Sequence, residues 1–443
     1  MTTAITRPAR AISCAFLLSL LNAAGAQATE GYFQEGVSVR EKATGGAGVA
    51  DPRDALTIAN NPAGLVDIVP QLNMAISIFS PDRGYDASGT AFVAPGSHTS
   101  QDDVFPVPAM AFSLPIDATS AWGVAIYGNG GMSTHFATQA AAPGCAVTGG
   151  VGVFCGGSQT GINLTQAFIS LGYAKSFGSI SVGVAPIFAV QLFSAYGLQA
   201  FGPISSNPGE LSNNGNDWSV GGGLRAGVEW HALPNLRFGV AGSTPIWMTN
   251  LSKYAGLFAD TGNFNIPASI TAGVAYDILP MLTVMVDYKR IFYSGVASIA
   301  NSSASAGVPL GAPGGPGFGW SDVNVIALGA EWRAMPGLIL RAGYAHNTNP
   351  VSSSNVTLNI LAPGIVTDHV SAGASYALAP NISIDVAGVF VPRHNVSGPE
   401  VVPGVGVVPG SYINLWMSQF ELTAGLTYSF ATPAPSPALV SKY

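Results

Sequence analysis

The chain has 443 residues, 48% of them hydrophobic and only 9% charged, with 55 glycines and a net charge of −7. So little charge excludes an ordinary soluble surface, and beyond the N-terminus no run of about 20 apolar residues offers a spanning helix. A charge-free stretch over residues 291–320 is rich in Gly, Ser, Ala and Pro and reads as a loop, so the apolar content is dispersed along the chain.

Residues 1–26 have the layout of a secretory signal: Arg7 and Arg10, then an apolar run over 11–21, then Ala24, Gly25 and Ala26 as small-residue cleavage pattern. Cleavage is expected after Ala26 or Ala28. Without Arg7 and Arg10 the chain keeps 14 basic against 23 acidic residues, about −9, which argues against nucleic acid as a partner. Cys14 leaves with the signal. Cys145 and Cys155 remain, ten apart in an exported chain, and are expected to pair. Closing that loop contributes about 2 to 3 kcal/mol in the chain-entropy model. Neither cysteine has a second pair at zinc-ligand spacing, and no metal or cofactor is expected.

Residues 27–69 are Gly-rich and partly charged, with no strand alternation. After them, apolar and small or polar residues alternate in segments long enough to cross a membrane as β-strands, which needs about 9 to 11 residues. Fourteen such strands are predicted, at 71–80, 105–115, 121–128, 163–174, 179–191, 217–230, 235–247, 264–277, 281–293, 321–333, 337–348, 366–377, 381–391 and 413–430. The clearest puts Phe420, Leu422, Ala424, Leu426, Tyr428 and Phe430 on one face and Glu421, Thr423, Gly425, Thr427 and Ser429 on the other. In another, Trp218, Val220, Leu224, Ala226, Val228 and Trp230 share a phase, with aromatics at both ends as in interfacial girdles.

The connections alternate too. Short links fall at 116–120, 175–178, 231–234, 278–280, 334–336 and 378–380, and long ones lie between them, among them 81–104, 129–162 (holding the cysteine pair), 192–216 and 294–320. That is the pattern of an all-β, antiparallel transmembrane barrel over 70–430, with short periplasmic turns and long outer loops. A soluble β-sandwich or propeller would carry charge outward. Here Arg225, Glu229, Asp287, Lys289, Glu331, Arg341, Asp385 and Glu421 all alternate with apolar residues, as lumen side chains would. An even strand count returns both chain ends to the periplasm, the C-terminal one as a Pro-rich tail over 431–443.

A barrel of eight strands is filled by its own side chains, and one of 16 to 18 leaves a channel, so fourteen strands would leak unless plugged. Residues 27–69 are the available plug. Within them Gly45, Gly46, Ala47, Gly48, Val49 and Ala50 lead through Asp54 and Ala55 to Asn61, Pro62, Ala63 and Gly64. With the later segments Ala121 to Val124, Asn265 to Ser269, Asp287 to Arg290 and Leu340 to Tyr344, this order resembles the outer-membrane long-chain fatty-acid and aromatic-hydrocarbon transporters of the FadL/TodX type. The resemblance implies a Gram-negative outer-membrane barrel of about fourteen strands with an N-terminal hatch, the Asn-Pro-Ala motif lying just before the first strand. It implies an apolar ligand captured by outer loops and released sideways near a kink in the third strand. It further implies a monomer among outer-membrane lipid and lipopolysaccharide, and no enzyme. Inward-phase Phe79, Met285 and Ile339, and Tyr32 and Phe33 near the new N-terminus, are the expected ligand contacts. Arg40, Glu41 and Lys42 make the segment more charged than the pattern leads one to expect, and Gly123, Gly128, Gly130 and Gly131 permit a kink without requiring it.

Two other functions share some of these features. A lipid hydrolase needs a nucleophile beside a histidine, but His98, His135, His346, His369 and His394 fall in or beside predicted loops and His231 in a turn. Ser371 shares a phase with His369, which without a third orienting group makes no dyad. A diffusion porin has no use for residues 27–69. Gly221, Gly222 and Gly223 fit a dinucleotide fingerprint formally, yet they sit inside a strand, and small inward residues beside a plug explain them better.

Overall fold

The alternation closes on itself. The computed structural model describes residues 29–430 except 148, 306 and 404. The expected signal peptide, its two cleavage positions, Cys14 and the 431–443 tail lie outside the described residues. Fourteen strands form the wall: β1 (Gln71–Ser88), β2 (Phe105–Asp117), β3 (Ser120–Ala137), β4 (Gln159–Ser176), β5 (Ile180–Tyr196), β6 (Asp217–Leu233), β7 (Leu236–Ser243), β8 (Ser269–Leu279), β9 (Leu282–Ile291), β10 (Val323–Met335), β11 (Leu338–Asn347), β12 (Asp368–Ala379), β13 (Ile382–Gly398) and β14 (Tyr412–Ser429). Each pairs antiparallel with the next, and β14 returns to β1, from Gln71 opposite Ser429 to Ser88 opposite Tyr412. Closure leaves no free sheet edge in the membrane zone, which backbone polar groups require where there is no water.

The outward phase is the predicted one. Phe420, Leu422, Tyr428, Trp218, Val220, Leu224, Val228 and Trp230 are exposed, whereas Glu421, Thr423, Thr427, Ser219 and Glu229 are buried. Lipid in place of water around those side chains removes the cost of their exposure, and inward charges avoid the about 2 to 4 kcal/mol that a mid-bilayer Arg or Lys would cost. Turns of two or three residues join alternate strands at one end, and long connections such as 138–158, 197–216 and 292–322 cap the other.

Several strands outrun their predicted limits. β1 continues to Ser88 and β3 to Ala137 because their far halves leave the membrane zone: β1 there turns Asp82 and Ser88 to solvent while burying Arg83 and Tyr85, and β3 is buried on both faces from Tyr127 to Thr134. Covering both faces erases the alternation that marks a half-exposed strand. Gly221 and Gly223 also differ from expectation: a Cβ there would meet Trp247, Met248 and Ile246 of an outer loop folded against β6, not the N-terminal segment. His369 is wholly buried on the inward side of β12 rather than at the surface, and His231 lies within β6.

Candidate functional site

Residues 29–69 lie against the inward face of the wall, and their local structure follows from capping. Ser38 and Glu41 form a reciprocal capping box around the short helix α1 (Val39–Lys42). Asp54 caps the 3-10 turn Ala55–Ala59. Asn61 caps the next, Pro62–Val66, accepting the Ala63 amide at 3.1 Å, with Pro62 in the first position, where its missing N–H is not needed. The same Asn61 donates to the carbonyls of Val49 at 2.8 Å and Val228 at 3.2 Å, so the Asn-Pro-Ala-Gly motif ties the segment to itself and to β6.

Of the charges that looked excessive in the sequence, Arg40 and Lys42 are partnered by the wall, and Glu41 accepts the Val37 and Ser38 amides within the segment. Arg40 meets Asp385 at 3.1 Å, Lys42 pairs with Glu421, Arg53 with Glu331, and Glu30 with Lys289 at 2.8 Å. Asp287 of β9 accepts the amides of Gly48 and Val49 at 2.8 and 2.9 Å. Close approach is possible because inward glycines face the segment: a Cβ at Gly183 would strike Pro62 and Ala63, at Gly227 Asn61, at Gly239 Val49, and at Gly343 Thr44 and Gly45. Ser371 accepts the Gly45 amide at 2.9 Å, and neither ring nitrogen of the buried His369 has a hydrogen-bond partner, so the two form no dyad.

The expected ligand contacts fall in four places. Tyr32 and Phe33 come together, with ring centroids 5.3 Å apart, in a cluster completed by Phe264, Tyr293 and Trp320. Phe79 pairs with Phe105 elsewhere in the wall. Met285 takes the Arg53 guanidinium on its sulfur at 3.2 Å. Ile339 lies at the short-turn end, in a cavity it shares with Arg40, Arg333, Ser375 and Ser383. Cys145 and Cys155 are joined by a disulfide in the 138–158 loop, Cα atoms 5.1 Å apart.

Sequence reasoning missed Phe264, Tyr293 and Trp320, which stand at strand ends and in loops where no period marks them. It also missed an apolar cavity of about 30 Å³ under the loops, lined by Ile162, Leu198, Phe201, Phe258, Phe318 and Leu361 among others. Phe258 touches Phe264 at 4.8 Å and Phe318 touches Trp320 at 6.4 Å, so the cavity wall continues into the aromatic cluster.

The cluster in turn meets a break in the barrel. β3 pairs with β2 only as far as Tyr127 opposite Ala109, and its register against β4 slips between Gly128 and Gly130. Gly130 has φ +155°, and a Cβ there would run into the Tyr32 carbonyl. In place of β2, the N-terminal segment takes up this stretch of β3: Gly131 donates to the Tyr32 carbonyl at 3.1 Å, Gln34 donates from its backbone to Asn129 at 3.3 Å and from its side chain to the Gly128 carbonyl. Next to it lies a polar cavity of about 70 Å³ lined by Glu35, Asn60, Asn129, Arg225 and Lys289 among others. Glu35 is buried with neither oxygen hydrogen-bonded. Burial, reinforced by Glu30 and Glu421, pushes its carboxyl up to about 8. Burial likewise raises the Tyr32 hydroxyl well above the usual tyrosine range.

Residues 16–400 match the family described as outer membrane protein transport protein (OMPP1/FadL/TodX). The chain belongs to that family. As a FadL/TodX-family protein it is an outer-membrane β-barrel of Gram-negative type and a transport channel, not an enzyme, which sets the long loops outside and the short turns in the periplasm. Among solved structures it is similar to the Pseudomonas putida toluene transporter TodX, at 17% identity and TM-score 0.67 over 89% of this chain and 99% of that one. It is also similar to a Pseudomonas aeruginosa FadL homologue, at 16% and 0.66 over 90% and 100%, and to the Ralstonia pickettii toluene transporter TbuX, at 18% and 0.61 over 90% and 99%. No curated protein matches the chain in sequence.

Proposed function

We propose that this channel takes up apolar small molecules, long-chain fatty acids or aromatic hydrocarbons, with residues 27–69 as the hatch that closes its lumen. The observation that carries the reading is the unbroken line of apolar contacts from the cavity under the outer loops, through Phe258 and Phe318, to Tyr32 and Phe33, and so to the part of β3 that β2 leaves unpaired. An apolar solute gains about 25 cal/mol for each Å² it takes out of water. A route that stays greasy and ends sideways in the bilayer spares it a return to water in the periplasm. Both cavities are small, so an occupant parts the loops and then displaces the Tyr32 to Gln34 arm from β3, opening the wall between β2 and β3. A toluene transporter among the structural neighbours supports this substrate class. The barrel works as a monomer surrounded by outer-membrane lipid and lipopolysaccharide.

The test is uptake of one labelled long-chain fatty acid, one alkylbenzene and one small sugar by intact cells with and without the protein. Dependence of an apolar compound alone supports the reading and names its class. Dependence of the sugar alone makes the protein a diffusion porin.

A further inference from the structure

The hatch ends beside a second chemical feature, at the periplasmic rim. Asp67 directly follows the turn that Asn61 caps, and β6 presents Glu229 and His231, two residues apart, toward it. The His231 Nε2 atom lies 3.2 Å from Glu229 Oε1 and 3.4 Å from Asp67 Oδ2. All three donor atoms fall within 4.8 Å of one another.

Hydrogen bonding does not account for this convergence. Glu229 is 0% exposed, yet neither of its oxygens accepts a hydrogen bond, and His231 Nε2 makes none either. A protonated His231 would offset part of the Glu229 charge, but its Nε2 lies within ion-pair distance of Asp67 as well, and the buried Glu229 oxygens still accept no aligned hydrogen bond, which is costly. A single Nε2–H could serve only one of two carboxylates that both approach the same nitrogen. A metal ion would serve all three. Bonds of about 2.0 to 2.2 Å at tetrahedral angles set neighbouring donors about 3.3 to 3.6 Å apart, close to the two separations found.

We propose that Asp67, Glu229 and His231 bind one divalent transition-metal ion, zinc by ligand type, and that this ion fastens the C-terminal end of the hatch to β6. Two carboxylates cancel its charge. Asp67 and His231 are each about one-third exposed, so the ion loads from the periplasm and keeps a position for water. The Asn61 contact with the Val228 carbonyl lies on the same strand, so metal and motif hold the same end of the hatch. The sequence hides the site because Asp67 stands far from Glu229 and His231 along the chain.

The full-length protein, purified in detergent and stripped with chelator, is titrated calorimetrically with zinc alone, beside Asp67→Asn and His231→Gln. Both substituted residues are partly exposed, and heat-modifiable migration confirms that each barrel is folded. One zinc per barrel is expected, weakened about tenfold or more in both variants. Zinc, and not magnesium, should raise the melting temperature of the wild type. No zinc binding to the wild type, or binding in both variants as tight as in the wild type, overturns the proposal, as does an equal response to magnesium.

Discussion

Asp287 holds Gly48: one carboxylate oxygen on β9 accepts the Gly48 amide at 2.8 Å and, at 2.9 Å, that of its neighbour Val49. Hydrogen bonds to a charged acceptor are each worth about 1.5 to 3 kcal/mol, and removing the acceptor also strands two buried amides. Asp287→Ala should therefore fold as a barrel but seat its hatch poorly. Single channels in planar bilayers should show bursts of ion conductance that the wild type lacks. A variant as closed as the wild type would mean that the other hatch contacts suffice.

Glu35 gives the hatch a pH dependence with a definite sign. Its carboxyl sits at about 8 because burial and the nearby Glu30 and Glu421 disfavour its charge. A group whose pKa rises on folding contributes stability that is complete below its ordinary range and is lost as pH climbs through the folded value. The hatch should thus be tightest below the ordinary value of 4.5 and loosen progressively as pH climbs from there to about 8. Conductance or protease sensitivity of the N-terminal segment should follow that curve, and Glu35→Gln should flatten it. An equally steep curve in the variant would assign the effect to another group.

Wall and plug were legible to different degrees, for a physical reason. Each membrane-zone strand has lipid on one side and lumen on the other, so its pattern has period two, and Phe420 to Phe430 could be read directly. Above the membrane zone that asymmetry changes, since β1 turns the polar Asp82 and Ser88 outward and β3 is buried on both faces, and the sequence no longer shows that they continue to Ser88 and Ala137. The motif Asn61 to Gly64 was visible as a family feature, but its partners were not. Val228, Gly183 and Gly227 are contacts across the lumen, which no local period encodes. The charges of Arg40 and Lys42 departed from pattern only because Asp385 and Glu421, hundreds of residues away, could not be assigned to them in advance. The aromatic cluster was half legible: Tyr32 and Phe33 were named, whereas Tyr293 and Trp320 come from the ends of a long loop.

The Cys145–Cys155 bridge closes a loop of ten residues that packs on Ala142 and Ala200 at the outer face. Replacing both by serine should remove about 2 to 3 kcal/mol of local constraint and leave the distant hatch untouched. Proteinase K should then cut within 138–158 while the barrel keeps its heat-modifiable migration. Equal resistance in the two proteins would show that packing alone orders the loop.

Trp320 is where the loop cavity and the hatch meet. Its ring lies 5.1 Å from Tyr293, 6.1 Å from Tyr32 and 6.4 Å from Phe318, and its Nε1 donates to Asn359 at 2.6 Å. Phe79, also buried, has Phe105 as its ring neighbour and stands off this line. If ligand passes from the loop cavity to the Tyr32 arm, Trp320→Leu should lower uptake of the transported apolar compound about tenfold. That corresponds to about 1.4 kcal/mol of lost contact, within what an aromatic pair and its buried area supply. Phe79→Leu, which likewise replaces a buried ring by an aliphatic side chain, should transport normally. Equal defects in the two variants would point to general loosening of the barrel, and a defect in Phe79→Leu alone would move the route to the β1 and β2 side.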